Sequence, residues 1–418
     1  MNRKISTLIS LLIIISSVFA FTSCSLSGGY VTKAELDKAL SSVGGGEVNA
    51  GDNYSINISS NVPNDIIAAG KGLLSAVSVY SKFTVYRSSG FGPSSQKYES
   101  TAQSAGAGVI YKLDKESGDA YIITNYHVVY YHQSAQPNYI SNDIKVYLYG
   151  QEYTKYAIPA TYIGGSMNYD IAVLKVSGSD ILRASNAMAA EFADSNSVSV
   201  LDTAIAIGNP KADGISATVG HVNVDSETID ISAADDITTL KMRVIRIDTA
   251  VNNGNSGGGL YNAEGKLIGI VNAKMSTSTI DNIAYAIPSN IVKYVTENII
   301  YYCDGKPAES VYRYFMGITT GVLDARTVYD TETGKIQRVE RVAISEINGS
   351  PAERALNVGD VINSITIDNT KYEVTRTFHV VDVMINAREN STVVLNITRG
   401  NNTFDVTIDI SGAELKPY

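Results

Sequence analysis

Asn252-Asn253-Gly254-Asn255-Ser256-Gly257-Gly258-Gly259 sets one serine among glycines and asparagines. Such a run is poorly suited to a helix or a strand interior, because glycine loses the most backbone entropy on ordering. It suits a tight loop that exposes a hydroxyl. Without side chains in the way, a carbonyl group approaches the backbone closely, and successive peptide N–H groups converge on one point where negative charge can develop. The plain alternative is a glycine-rich turn with no chemistry.

A nucleophilic serine needs a base. The chain has four histidines, His127, His132, His221 and His379. His127 lies in Ile122-Ile123-Thr124-Asn125-Tyr126-His127-Val128-Val129, an apolar strand running into a polar turn, where an imidazole is fixed yet reaches a cleft. His132 follows in a loop rich in Tyr and Gln and reads as a solvated residue. The base needs an orienting carboxylate. Asp170 opens Asp170-Ile171-Ala172-Val173-Leu174-Lys175-Val176, and an acid leading straight into a buried strand is costly unless something pairs with it. A histidine N–H is a suitable partner. The alternatives are a structural histidine and an acid that caps a loop. The chain order His127, Asp170, Ser256 is that of chymotrypsin-like folds. Gly254-Asn255-Ser256-Gly257-Gly258 also satisfies the nucleophile-elbow pattern of α/β-hydrolases. That fold needs a helix after the serine and the histidine last, whereas here glycines follow and only His379 lies downstream.

The remainder of the chain supports a secreted, mostly β protein. It has 418 residues, enough for two domains and a tail. Lys and Arg number 33 against 42 acids, so a nucleic-acid partner is not expected. Hydrophobic content of 44% indicates a globular chain. Arg3 and Lys4 followed by the apolar residues 8–21 read as an export signal too short for a comfortable membrane span. Residues 24–63 include a stretch rich in Gly, Ser and Asn and read as a flexible tether. From residue 64 to about 300, short runs rich in Val, Ile and Tyr recur at 76–80, 108–111, 121–124, 144–149, 171–176, 204–207, 244–247 and 267–271. Many short strands at that spacing indicate a barrel or sandwich. Helical periodicity appears at 288–299.

Thr124-Asn125-Tyr126-His127-Val128-Val129, Asp170-Ile171-Ala172-Val173-Leu174-Lys175-Val176, Ala206-Ile207-Gly208-Asn209-Pro210 and Gly254-Asn255-Ser256-Gly257-Gly258 together resemble the signature blocks of HtrA/Deg serine proteases. Ala284-Tyr285-Ala286-Ile287-Pro288-Ser289 resembles the closing block of that family. The resemblance implies an all-β chymotrypsin-like pair of six-stranded barrels over residues 64–302, with His127 and Asp170 in the first barrel and Ser256 in the second. It implies catalysis by His127, Asp170 and Ser256, with Gly254, Asn255 and Ser256 around an oxyanion hole to which Gly254 and Ser256 give their N–H groups. Asn255 stands where trypsin-type enzymes have the aspartate that pairs with a newly cut N-terminus, so activation by such a cut is not expected. No cofactor or metal is expected.

Three positions depart from the family pattern. Tyr126 replaces Asn, Asn253 replaces the Pro before Gly254, and Gly259 replaces a Pro after the glycine pair. Fewer prolines should leave the oxyanion loop more mobile. Residues 267–273 after the serine are expected to pair with an extended peptide, with Ile270, Val271 and Asn272 lining the substrate cleft and favouring small aliphatic residues before the cut. The acidic residues 225–239, read as a segment between two strands, match the loop that senses effector binding in the family.

Phe21-Thr22-Ser23-Cys24 resembles a bacterial lipoprotein signal, which would make residues 1–23 a signal peptide and Cys24 a lipidated N-terminus, although Phe21 stands where Leu is usual. A plain cleaved signal and an uncleaved anchor are the alternatives. Residues 312–412 resemble the PDZ domain appended to these proteases, with Phe315, Met316, Gly317 and Ile318 as the loop that holds a peptide carboxylate. The block between Arg354 and Gly359 is one residue short of the family pattern. The alternative is a β-rich packing domain. The resemblance implies a lipid-anchored endopeptidase of protein quality control outside the cytoplasmic membrane. It would act on unfolded polypeptides, bind peptide C-termini and assemble as a homotrimer. The competing reading is a non-catalytic, chaperone-like peptide-binding scaffold, against which the intact His127, Asp170 and Ser256 set argues.

Overall fold

The computed structural model describes residues 64–89, 96–152, 154–273, 283–308, 310–349, 355–410 and 414–418. The expected signal peptide, Cys24 and the tether lie outside these residues. The described chain begins with helix α1 (Asn64–Ser75), where the sequence was expected to be β. Its apolar side buries Ala68 and packs on the second barrel through Gly72, which leaves room for the Tyr261 ring.

Strands β1 (Ala76–Ser89), β2 (Gln96–Asp114), β3 (Asp119–Thr124), β4 (Asp143–Leu148), β5 (Ile158–Ser166) and β6 (Ile171–Val176) close into a barrel in the order β1-β2-β3-β6-β5-β4. A one-turn helix α2 (Tyr126–Val129) follows β3, and a short helix α3 (Asp180–Ala184) follows β6. Strands β7 (Thr203–Gly208), β8 (Ser216–Ser232), β9 (Thr239–Ile247), β10 (Gly259–Tyr261), β11 (Leu267–Val271) and β12 (Ala284–Pro288) close a second barrel in the order β10-β11-β12-β9-β8-β7. Helix α4 (Ser289–Tyr302) follows directly.

The near-continuous apolar runs follow from burial on both strand faces, since successive side chains point to opposite sides. Ile122 and Leu174 face the interior of the first barrel, while their neighbours Ile123 and Val173 face a larger core. Ala204 and Ala206 fill the second barrel, and Ile205 and Ile207 turn out to that same larger core. Ile291, Val292, Val295 and Ile299 of α4 pack there too, so the helix seals the two barrels. Each such side chain contributes about 1.5–3 kcal/mol of burial free energy.

Two hairpins are longer than expected. β1 and β2 pair from Ala76↔Val109 out to Ser89↔Gln96, and β8 and β9 pair out to Ser232↔Thr239. Residues 225–239 are therefore mostly the arms of a hairpin. Their polar and apolar residues alternate because one face is solvated.

Beyond α4, the chain makes β13 (Tyr312–Tyr314), β14 (Ile318–Tyr329), β15 (Ile336–Ile347), β16 (Val361–Ile367), β17 (Thr370–Glu373), α5 (Thr377–Val383), β18 (Thr392–Arg399), β19 (Asn402–Asp409) and β20 (Leu415–Pro417). The sheet order is β14-β15-β16-β18-β19, with β17 on β16 and a separate β13–β20 pair. This module has its own core, including Val342, Ile365, Leu395 and Ile397. It is joined to the barrels by polar contacts. Arg243 of β9 donates to Asp382 of α5 at 2.6 Å, with both side chains largely buried. Arg376 reaches Asp225 at 2.9 Å. The Asn298 amide of α4 donates to Tyr312 O at 2.7 Å and Ile385 O at 2.9 Å.

Candidate active site

β5 ends at Ser166 and β6 starts at Ile171, and the turn between them presents Asp170. The Asp170 N–H donates to Met167 O at 3.2 Å, and Asp170 adopts φ +49°, a left-handed conformation uncommon for a residue with a side chain. Its carboxylate is 5% exposed as part of the residue and is fully partnered. Oδ1 accepts the His127 backbone N–H at 3.0 Å, and Oδ2 lies 2.7 Å from His127 Nδ1. The Asn272 side-chain amide donates to the same Oδ2 at 2.6 Å. The Asp170 carbonyl accepts Tyr126 N–H at 3.1 Å and the Asn125 side-chain amide at 2.8 Å. Three consecutive residues, 125–127, are thus held on one aspartate. An ionised carboxylate only accepts, so the Nδ1 contact makes His127 a donor there and leaves Nε2 as the acceptor.

Tyr126, where the family has Asn, stacks on Tyr130 with ring centroids 5.3 Å apart and lies against Gly165. Burial, assisted by Tyr130 and Asp170, pushes its hydroxyl up to about 12, so it remains neutral.

Ser256 arrives from the second barrel. Gly257 has φ +84°, and a Cβ there would lie 2.2 Å from Ala107 O of β2. Only glycine fits, and the close approach lets Ala107 N–H of the first barrel donate to Ser256 O at 2.8 Å. Gly254 has φ +99°, and its Cβ would lie 2.1 Å from Asn209 O. The loop is braced from the turn after β7: Lys211 N–H donates to Asn253 O at 2.8 Å, and Asn209 N–H to Gly254 O at 3.3 Å. These bonds hold the stretch that lacks the family's prolines. The Asn253 carbonyl is turned to Lys211. Neither the Gly254 nor the Ser256 N–H donates to another described residue, so both remain available to an incoming oxygen. The Asn255 N–H donates to Asn252 O at 3.0 Å, so Asn255 shapes the turn and is not a donor to that point.

The Ser256 hydroxyl accepts Ala273 N–H at 3.2 Å and forms no hydrogen bond to His127. To act as a nucleophile it would first turn toward the imidazole. Such bonds commonly tighten only when substrate binds.

Several expected positions are corrected. Ile270 and Val271 are both 0% exposed and belong to the cores around and inside the second barrel, so they do not line a cleft. β11 is also paired on both sides here, Ile270 with Gly259 of β10 and with Ile287 of β12, and offers no free edge for a peptide. Both faces and both edges of a barrel strand are used within the fold. Asn272, expected in the cleft, is the amide that holds Asp170. Of the four residues expected to cradle a carboxylate, Phe315 donates its N–H to Glu414 O at 3.0 Å and exposes half of its side chain, whereas Met316 is buried. Gly317 takes φ +73°, and Ile318 opens the edge strand β14. The braces at Asn209 and Lys211 had no assigned role, although Gly208-Asn209-Pro210 was visible as a block. Among the described residues no cluster of His, Cys, Asp or Glu is arranged to hold a metal ion, and no helix is long and apolar enough to cross a membrane.

The chain is similar to known proteins over the two barrels and beyond. Residues 106–270, which carry His127, Asp170 and Ser256, match the family model of the trypsin-like peptidase domain. The serine protease Do-like HtrA of Bacillus subtilis (strain 168) is 36% identical over 280 residues, covering 64% of this chain. The chain spans only 56% of that relative's length. A solved structure, the HtrA-type protease AlgW with decapeptide, is 24% identical, with a TM-score of 0.48, over 84% of this chain and 98% of that one. The serine protease Do-like HtrA of Lactococcus lactis subsp. lactis (strain IL1403) is 32% identical over 346 residues. That match takes in 79% of this chain and 77% of the relative, so it extends from the barrels into the module that follows them. Likeness sustained over both parts is inherited as a unit, and the chain belongs to the HtrA family of serine proteases.

Proposed function

We propose that the chain is a serine endopeptidase of the cell envelope that cuts unfolded or mislocalised polypeptides. The observation that carries this is the His127 imidazole fixed by Asp170 at 2.7 Å beside a serine loop whose Gly254 and Ser256 N–H groups are unengaged. Ser256 Oγ attacks the peptide carbonyl carbon and passes its proton to His127 Nε2. Asp170 stays ionised and steadies the imidazolium. The oxyanion receives the Gly254 and Ser256 N–H groups. His127 then protonates the leaving amine as the C–N bond breaks, and water repeats the sequence on the acyl-enzyme.

The test is hydrolysis of casein by wild type, His127→Ala, Ser256→Ala and the double variant. Each single change should remove nearly all turnover, and the double change little more, because the residues act as a unit. Additive losses, or turnover that survives Ser256→Ala, would refute the assignment.

The finer reading adds peptide C-termini as ligands at Phe315, Met316, Gly317 and Ile318, a homotrimer, and a lipid on Cys24. The edge position of β14 beside α5 favours the first, since an edge strand accepts an extended peptide. The N-terminal apolar run favours the last. Cys24→Ser should move the protein from membranes to soluble fractions, and unchanged partition with no lipid label on wild type would exclude the anchor. Sedimentation of the purified chain decides the trimer.

A further inference from the structure

We propose that Tyr418 is a positioning residue for the reaction, acting as the end of a strap that braces the Asp170 turn from behind. The inference rests on the reading of Asp170 as the group that orients His127. Asp170 holds φ +49°, and a residue in such a conformation persists only where its surroundings over-determine it. The clamp on residues 125–127 fixes one side of the turn. Something has to fix the other.

The segment that does so comes from the far side of the last module. β20 returns from that sheet and pairs with β13, Tyr314↔Leu415 and Tyr312↔Pro417. Tyr418 N–H then donates to Val311 O at 2.8 Å, which points the residue at the end of β5. Its ring lies 5.0 Å from the Tyr169 ring, and the Arg313 guanidinium sits 3.8 Å from its centroid. Tyr169 is the residue immediately before Asp170. The backbone closes the connection: Tyr418 O accepts the Ser166 hydroxyl at 3.4 Å, and that hydroxyl accepts Tyr169 N–H at 3.4 Å. Both bonds are long and individually weak, so the tilted ring contact with Tyr169 and the Arg313 guanidinium over the Tyr418 ring carry most of the hold. Ser166 and Tyr169 bracket the turn whose last residue is Asp170. A turn free to relax toward ordinary backbone angles would swing the carboxylate away from His127 Nδ1.

The strap also begins at the predicted carboxylate loop, since Glu414 O, one residue before β20, holds the Phe315 N–H at 3.0 Å. The path from that loop to the catalytic turn is therefore one short extended strand.

The experiment compares full-length wild type, Tyr418→Ala and Tyr418→Phe on a fluorogenic peptide taken from a casein fragment that wild type cleaves. Proton NMR follows the downfield proton shared by His127 and Asp170. Tyr418→Ala should lower kcat about tenfold with KM changed by less than about twofold, because the group lost acts on geometry and not on binding. The downfield resonance should broaden or vanish. Tyr418→Phe keeps the ring and the carbonyl and should restore both. If the alanine chain does not fold, Tyr418→Leu takes its place, keeping bulk but losing the aromatic seat for Arg313. Wild-type kcat together with an unchanged resonance in the alanine or leucine chain overturns the strap, as does a loss confined to KM. Ser256→Ala is measured alongside. Turnover that survives it refutes the nucleophile and not the strap, on which the resonance still decides.

Discussion

Gly254→Ala should abolish most turnover while leaving the protein folded. Gly254 sits at φ +99°, where a residue with a Cβ is strained by about 1–2 kcal/mol. The new Cβ would stand 2.1 Å from Asn209 O, so the loop must back away by about 1 Å. Retreat stretches the two braces, Asn209 N–H to Gly254 O and Lys211 N–H to Asn253 O, each worth about 1 kcal/mol. The stability lost is then about 3–4 kcal/mol, within what a folded protein of ordinary stability tolerates. Catalysis loses more. A backbone N–H moved about 1 Å from its target no longer meets the developing oxyanion, and removal of one such donor costs about 100- to 1,000-fold in kcat. The assay measures kcat and KM on a fluorogenic peptide, with thermal melting as the control for folding. Binding of uncut peptide in a Ser256→Ala background should hardly change, since the hole acts on the transition state. A folded Gly254→Ala protein with kcat within about threefold of wild type would show that the Gly254 N–H is not a donor to the reaction.

Two other perturbations are equally direct. Asn272→Ala removes the amide that donates to Asp170 Oδ2 at 2.6 Å, and should lower kcat about tenfold with little change in KM; an unchanged kcat would make that contact merely structural. His379 is buried in α5, and burial first, then Arg243 and Arg376, pushes its pKa down to about 4. The unfolded chain takes up this proton near pH 6.5 and the folded one only near pH 4. Stability is therefore complete above about pH 6.5 and falls as pH drops to about 4, by about 3 kcal/mol from this group. His379→Leu should flatten that part of the difference in denaturant midpoints measured between pH 7 and 4, and equal slopes in the two proteins would contradict it.

The legible parts of this chain are those where burial leaves a mark on residue type. The runs 171–176, 204–207 and 267–271 stand out because each strand is covered on both faces, and their positions are close to β6, β7 and β11. The outer half of β2, Gln96 to Gln103, is polar and largely solvated, and β1 beyond Tyr80 only alternates buried Ser81, Phe83 and Val85 with more exposed residues before 86–89 are all exposed, so neither carries a continuous apolar mark and both extend unannounced. Helix α1 was hidden for a related reason: it buries little more than Ala68, Gly72 and Ser75. At the candidate site, His127, Asp170 and Ser256 were legible as short motifs, and the fold brings His127 and Asp170 together. The braces were not, since Lys211 and Asn209 act through backbone N–H groups that any residue except proline supplies. Ile270 and Val271 were misplaced because nearness in sequence to a serine says nothing about the direction a strand side chain points.

The Ala107 to Ser256 hydrogen bond has a consequence for how the protein comes into being. Base and carboxylate belong to the half of the chain that is made first, and the nucleophile belongs to the half made last. A barrel emerging alone holds an imidazole with nothing to activate, and its partner alone would hold a hydroxyl with no base. Domains generally complete themselves in order of synthesis. On the proposed mechanism, base and nucleophile meet only when the two halves close on each other. The partition of the site between two barrels thus ties its completion to the closing of the second barrel on the first.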